Sequence, residues 1–560
     1  MNRDHVFTSR EVEALIAKGQ TIVVSEKRVL RLDGWLDRHP GGRLAVMHMV
    51  GRDATDEINI YHSQKTLRIM SKYCIGRIEG PWTNFTPPIR GGTFRPIEEN
   101  DTSSEEDDFG SDTSSLSESS ATSFEVSSHS AVYEWQADAL KSSASATIKR
   151  TQARTSDSDA QSDCHWSAET YTERTMQKEL LKDLRDYPSL SPETQRSITR
   201  KYQQLHQTAK DEGFYDCPYI EYGKEIARYS TLFAVFIVAL RAEWYITSAV
   251  FLGLFWHQIM FTAHDAGHMA ITHNFVTDSL IGMFIADFCC GLSIGWWKSS
   301  HNVHHLVTNH PEHDPDIQNI PLFATCPAYF KSISSSYYDG FTFAWDSAAD
   351  FAVRYQQYTY YPVMGLARFN LYVLSWGHLL SRRSVNLGAA SWTRPTEIAF
   401  MACYWFLFGY LLLWRSIPTW SLRVAFVLVS HVITAPLHVQ ITLSHWATST
   451  ADLGDAESFP QRQLRTTMDV ACPRWLDFVH GGLQFQAVHH LFPRVPRHNL
   501  RRLQPLVRAF CKDVGIEYKI LGFVDGNKEV LGRLGEVAGQ VEMLIKCQKF
   551  MAQTGESGLH

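Results

Sequence analysis

Two pairs of apolar runs, each pair broken only by a short polar turn, constrain this chain more than any other feature. Residues 229–240 and 244–262 are separated by Arg241-Ala242-Glu243, and residues 397–414 and 421–443 by residues 415–420. Crossing the hydrocarbon core of a bilayer takes about 20 apolar residues. The first run is short and borrows Ile226 and Ala227, which gives spans at about 226–241, 244–262, 397–414 and 421–443. Two helical hairpins, each entering and returning, are the simplest arrangement. Residues 280–297 are also apolar but contain Asp287. A charge at mid-bilayer is costly, so this piece is expected at the interface or packed inside protein. The loop between the hairpins carries Lys298, Arg354, Arg368, Arg382, Arg383 and Arg394, whereas the two short turns hold few charges. That asymmetry puts the loop and both termini on the cytosolic side.

The rest of the chain divides by composition. A length of 560 residues accommodates two or three domains. With a net charge of −6 and no basic stripe, nothing suggests a nucleic-acid partner. The ten cysteines include no CxxC pair, which argues against a disulfide framework or a zinc knuckle. The first residues lack the apolar core of a secretory signal. Residues 1–80 read as a small soluble α+β domain. Thr8 and Glu11 have capping-box spacing before a helix at 11–18, strands are expected at 21–24 and 29–32, and His39-Pro40-Gly41-Gly42 forms a turn. Two amphipathic helical stretches around Gly51 then lead to His62. Residues 83–165 are expected to be a disordered linker. In the window 101–130, 15 of 30 residues are Ser or Thr, eight are Asp or Glu and none is Lys or Arg, which leaves too little apolar area to offset ordering entropy. Residues 166–525 form an all-α membrane domain, and 526–560 a tail with a mixed-polarity helical stretch of no assigned role.

Histidine carries the chemistry. An electron-carrying haem needs both axial positions filled so that oxygen cannot bind. His39 and His62 can supply two imidazoles from opposite walls of a pocket, and Pro40-Gly41-Gly42 lets backbone approach a porphyrin edge. Three further groups each follow a span or its returning loop. His264 and His268 stand at i, i+4; His301, His304 and His305 at i, i+3, i+4; and Gln486 is followed at the same spacing by His489 and His490. With an even number of crossings, all three groups face one side and can converge. Imidazole suits zinc, copper, nickel and iron, so ligand type does not name the metal. Seven clustered histidines exceed what one four-coordinate ion needs, and two metals are more economical. His445, at the end of the fourth span, is either an eighth histidine ligand or a favourable helix C-terminal charge.

These strings also carry two family resemblances. Residues 35–42 (Trp-Leu-Asp-Arg-His-Pro-Gly-Gly) and 51–55 (Gly-Arg-Asp-Ala-Thr) resemble the cytochrome b5 family, which implies that His39 and His62 bind haem b. Residues 216–510 resemble the membrane fatty-acyl and sphingolipid desaturases. The most specific string is Gly481-Gly482-Leu483-Gln484-Phe485-Gln486-Ala487-Val488-His489-His490-Leu491-Phe492-Pro493, whose Gln in place of His marks the front-end branch. His313-Asp314-Pro315-Asp316 and a fused cytochrome b5 domain are also typical of that branch, and overall similarity points within it to fungal delta-8 sphingolipid desaturases.

The resemblance implies an oxidoreductase with four transmembrane helices and a cytosolic di-iron cap. Two non-haem irons would be held by His264, His268, His301, His304, His305, His489 and His490, with His445 and Gln486 as further candidates. Dioxygen is the implied co-substrate, and the sphingoid base of ceramide the implied substrate, in a multi-pass protein of the endoplasmic reticulum. The alkyl chain supplies half the electrons that take dioxygen to water, so the haem domain must supply the rest one at a time. Those come from NADH through a cytochrome b5 reductase. Three other readings share these motifs: a front-end acyl desaturase of the delta-5/delta-6 type, a lipid hydroxylase, and a non-catalytic haem and metal membrane protein.

Overall fold

The computed structural model describes residues 3–97, 166–384 and 390–554. The body of the expected linker therefore lies outside the described residues. Its first part does not behave as a spacer. Phe85 and Phe94 pack on the core of the N-terminal domain, and the Arg95 side chain pairs with Glu13 at 3.1 Å. Polar composition hid this strap, because two aromatic rings are enough to fix it.

The N-terminal domain is built from short elements around a three-stranded sheet. Strand Arg28–Arg31 lies in the middle, antiparallel to Ile22–Ser25 and Cys74–Arg77. The helix begins at Ser9 with the capping box formed: Thr8 accepts from the Glu11 amide, and the Glu11 carboxylate accepts from the Thr8 amide at 2.8 Å. Val12, Ile16, Ile22, Val24 and Val29 close one core, while Leu30, Val46, Met49 and Ile58 close a second on the other face of the sheet.

The sequence predicts four spans; among the described residues, three helices are long and apolar enough to cross a membrane: Tyr245–Gly267, Thr393–Ser416 and Trp420–Leu443. The first member of the first hairpin is a continuous helix, Tyr219–Arg241, but Glu221, Lys224, Glu225 and Arg228 occupy its first turns and only its later part is apolar. A bent pair, Phe275–Cys289 and Ile294–Val307, turns through 116° and counts as one broken span at most. Asp287 sits before that bend and is fully buried, as its cost in lipid requires. Bulky apolar side chains such as Ile237, Val238, Phe406, Val424 and Leu428 remain exposed on the outer helical surfaces, the signature of a lipid-facing belt. Trp414 and Trp420 flank the second hairpin's turn, with the Arg423 guanidinium stacked over both rings.

Two elements depart from expectation. The central loop contains a 25-residue helix, Gln356–Leu380, and Arg368 within it is no loop cation. It is buried, lies 4.3 Å over the Trp256 ring and donates to the Cys290 carbonyl at 2.6 Å. The C-terminal tail starts inside a single 32-residue helix, Phe523–Thr554. Val530 and Leu534 on this helix pack with Leu443 and Met468, and Val537, Val541 and Leu544 pack with Tyr329 and Val353. The cap itself forms where helices Pro192–Asp211 and Arg497–Val514 close over Phe485, Val488, Leu491 and Phe492.

Candidate functional site

In the N-terminal domain, His39 ends a 3-10 turn and His62 ends the helix Thr55–Tyr61. Their ring centroids are 6.0 Å apart. A metal–imidazole bond is about 2.0 Å long, so two rings on opposite faces of one iron stand with centroids about 6 Å apart. Each Nδ1 donates to a backbone carbonyl at 2.9 Å, His39 to Gly42 and His62 to Ile58, which fixes the tautomer and leaves Nε2 free. Burial, reinforced by the neighbouring His39, holds His62 down to about 4, so the ring stays neutral and ready to ligate. A side chain at Gly41 would meet the His39 ring at 2.8 Å, which explains the glycine there. The pocket fits a bis-imidazole haem.

The three later histidine groups converge. Ring nitrogens of His264, His268, His301 and His489 lie within 4.8 Å of one another, and so do those of His304, His445 and His490. Ligands around one ion with bonds of about 2 Å fall inside that spread. His305 joins the two sets. Its Nε2 is 3.0 Å from the Nε2 of His301, and its ring stacks at 4.1 Å on His490. Gln486 is buried in the first turn of the helix Gln486–Leu491, one turn ahead of the paired histidines.

Unpartnered nitrogen is what makes the site fit metal. His264 Nδ1, His268 Nε2, His305 Nδ1, His489 Nε2 and His490 Nε2 are buried without a hydrogen-bond partner among the described residues. Leaving one such group unsatisfied costs about 1–3 kcal/mol, so several converging on one place need an occupant. Burial and the surrounding imidazoles push His489 and His490 well below the usual histidine range, which keeps them neutral. The other ring edges are held by the cap. His490 Nδ1 donates to Gln463 Oε1 at 2.9 Å, His304 Nδ1 to Asp314 at 2.8 Å, and His445 Nδ1 to the Thr466 carbonyl at 3.2 Å. Gln463 also donates to the His305 carbonyl at 2.8 Å, so one side chain registers the second and third groups. His445 thus lies with His304 and His490 in the second set.

Several positioning residues escaped the sequence reading. Trp297 stacks at 4.3 Å on His301 and lies 5.3 Å from the rings of both His264 and His268. A Cβ on Gly267 would come within 2.1 Å of that indole, so the glycine between the first two histidines is steric. Glu397 accepts from Gly295 N at 3.0 Å and from Ser293 Oγ, capping the helix that bears His301, His304 and His305. Arg497 bridges Glu225 and Asp265, tying the first group to the preceding helix and to the cap.

A membrane-helical body whose cap gathers imidazoles from three distant segments, beside a small domain with two facing imidazoles, defines a class of membrane-bound oxidoreductase. The fatty acid desaturase profile matches residues 242–522, and that of the cytochrome b5-like heme/steroid binding domain matches residues 8–79. The chain belongs to the fatty acid desaturase family and carries a cytochrome b5-like domain ahead of the desaturase unit. It is 49% identical over 558 residues to a delta 8-(E)-sphingolipid desaturase of Emericella nidulans, covering 100% of this chain and 99% of that protein. Proteins of the same description from Komagataella phaffii and Kluyveromyces lactis are each 44% identical, covering 97% and 98% of this chain and 95% of each relative.

Proposed function

We propose that this protein introduces the delta-8 double bond, in the E configuration, into the sphingoid base of a ceramide. The observation that carries the reading is similarity sustained end to end with relatives of that one activity, through haem domain and desaturase alike. A pair of non-haem irons, bound by His264, His268, His301 and His489 on one side and His304, His445 and His490 on the other, would supply the oxidant for hydrogen removal from an unactivated methylene pair. His305 bridges the two sets, and Gln486 is a further ligand or close neighbour.

The residues around this centre bind, orient and exclude water. Asp314, Gln463 and the Thr466 carbonyl hold three imidazoles by one edge so that the other faces inward. Phe261, one turn before His264, packs with Leu437 and Leu483 into an apolar wall beside the first and third groups. Such a wall takes methylene chain and denies water, and fixing one carbon pair against the metals sets the position of the double bond. Electrons come from NADH by way of a cytochrome b5 reductase and the haem held by His39 and His62. The setting is the endoplasmic reticulum membrane, with cap, haem domain and both termini cytosolic.

Expression in a host that makes ceramide but no delta-8 unsaturated base tests this directly. Mass spectrometry is expected to reveal delta-8 (E) long-chain bases, absent with His489→Ala. Unsaturation appearing only in fatty acyl chains, with sphingoid bases unchanged, would assign the acyl substrate instead.

A further inference from the structure

The helix Ile294–Val307 is a wall shared by both redox sites. One side carries His301, His304 and His305 into the histidine sets. The other meets the haem domain: Leu306 packs on the core that includes Leu30 and Ile58, and Leu44 packs with Val303 and Val307. Asn302, between two of the metal-facing histidines, donates to the Gly41 carbonyl at 3.2 Å, inside the turn that follows His39. From His62 the chain makes a second approach. Ile60 is buried in the cap core together with Val488 and Leu491, and Tyr61 packs against the same cluster. The Tyr61 ring stands edge-on to His305, with centroids 6.2 Å apart at 85°. Its phenol oxygen is buried and has no hydrogen-bond partner among the described residues.

We propose that Tyr61 is the positioning residue through which electrons cross from the haem to the metal centre, by way of its covalent neighbour His62 and its ring contact with His305. This rests on the two-centre reading above. Tunnelling between two sites falls steeply with the empty distance between packed atoms, and an aromatic ring filling that gap keeps the coupling high. With haem held by His39 and His62 and iron by the histidine sets, the step would move one electron along this path, taking ferrous haem to ferric and a ferric iron to ferrous. The reductant is a reduced nicotinamide acting through a reductase. No bond changes and no proton moves at Tyr61, so the ring matters and the hydroxyl does not.

The experiment uses the full chain in detergent or nanodiscs, loaded with haem and iron, reduced anaerobically with dithionite and mixed with oxygen and ceramide. Haem oxidation is followed by stopped-flow absorbance, with haem spectrum, haem potential and iron content measured in parallel. Tyr61→Leu is expected to slow ceramide-dependent haem oxidation several-fold while those three controls stay at wild-type values, and Tyr61→Phe to keep the wild-type rate. An unchanged rate in Tyr61→Leu, or a slowed one in Tyr61→Phe, overturns the proposal. If Tyr61→Leu loses haem, Tyr61→Met fills the space without a ring and takes its place. Wild-type haem that oxidises without regard to ceramide or iron would instead sink the two-centre reading, a result distinct from failure of the path.

Discussion

The imidazole of His305 stacks on that of His490 with centroids 4.1 Å apart and planes 21° from parallel. One ring belongs to the second helix of the bent pair and the other to a short helix of the cap, nearly two hundred residues later in the chain. Their register is set by Gln463, which accepts from His490 Nδ1 and donates to the carbonyl of His305. Gln463→Ala is therefore expected to act on metal without touching a ligand. Loss of a group that orients a metal-binding imidazole typically costs about 10–100-fold in metal affinity or activity. Iron titration of the purified variant checks this; wild-type affinity would mean that packing alone holds the rings.

His445→Ala makes a sharper demand. Three imidazoles form the second set, and removing one leaves His304 and His490 with too few partners to hold an ion in competition with water. Iron per polypeptide is expected to fall and turnover to cease, while the haem spectrum stays normal because His39 and His62 lie in another domain. Full iron content in the variant would return His445 to a structural role.

The sequence made the histidine groups legible because helical spacing puts i, i+3 and i+4 on one face. The turn at His39 was legible for a similar reason, since the histidine and its two glycines act locally. What stayed hidden depends on distant partners. Arg497 meets Glu225 and Asp265 across more than two hundred residues, and Glu397 caps a helix from which a hundred residues separate it. Nothing near either residue signals the pairing. The helix Gln356–Leu380 was missed because Pro362 and a mixture of polar and aromatic residues break its pattern, yet packing around buried Arg368 and Tyr372 holds it. Local pattern reports secondary structure and spacing; it does not report which charge will be buried against which.

Docking of the haem domain centres on Asp455. Its carboxylate accepts from Arg52 and Thr86, and its carbonyl accepts from Asn84 at 3.1 Å. Asp455→Ala leaves the largely buried Arg52 without its partner, at a cost of about 1–3 kcal/mol. Haem and iron contents are expected to match the wild type, and ceramide-dependent haem oxidation to slow as the docked fraction falls. Distance measurements between labels on the two domains give an independent readout, and an unchanged docked fraction would remove Asp455 from the interface.

Acidity enters through Asp56, which accepts from Gln203 at 2.8 Å at the same interface. Burial pushes its carboxyl up to about 7, and that of Glu57 to about 7 as well. A raised acid binds its proton more tightly in the fold than in the unfolded chain, where the value is about 4. Its contribution to stability is therefore greatest at low pH and is lost as pH rises from about 4 to about 7, then stays flat. The thermal midpoint of haem release is expected to fall over that window. Asp56→Asn should remove part of the slope, and adding Glu57→Gln most of the rest; an unaltered slope in the double variant would place the titration elsewhere.

Gly267 and Trp297 give the most local test of how the first two histidine groups are held together. The indole occupies the space a side chain at Gly267 would need, and it touches the rings of His264, His268 and His301. Gly267→Ala forces the indole outward. Overpacking of this kind costs about 1–3 kcal/mol, and here the strain falls on the rings that the indole supports. The variant is expected to insert in the membrane and bind haem, but to lose iron affinity and turnover. Combining it with Trp297→Leu should restore part of the iron affinity, because the smaller side chain makes room for the new methyl group. The recovery should stay incomplete, since leucine cannot stack on His301. If the double variant binds iron no better than Gly267→Ala alone, the glycine serves the backbone of the helix end rather than the indole.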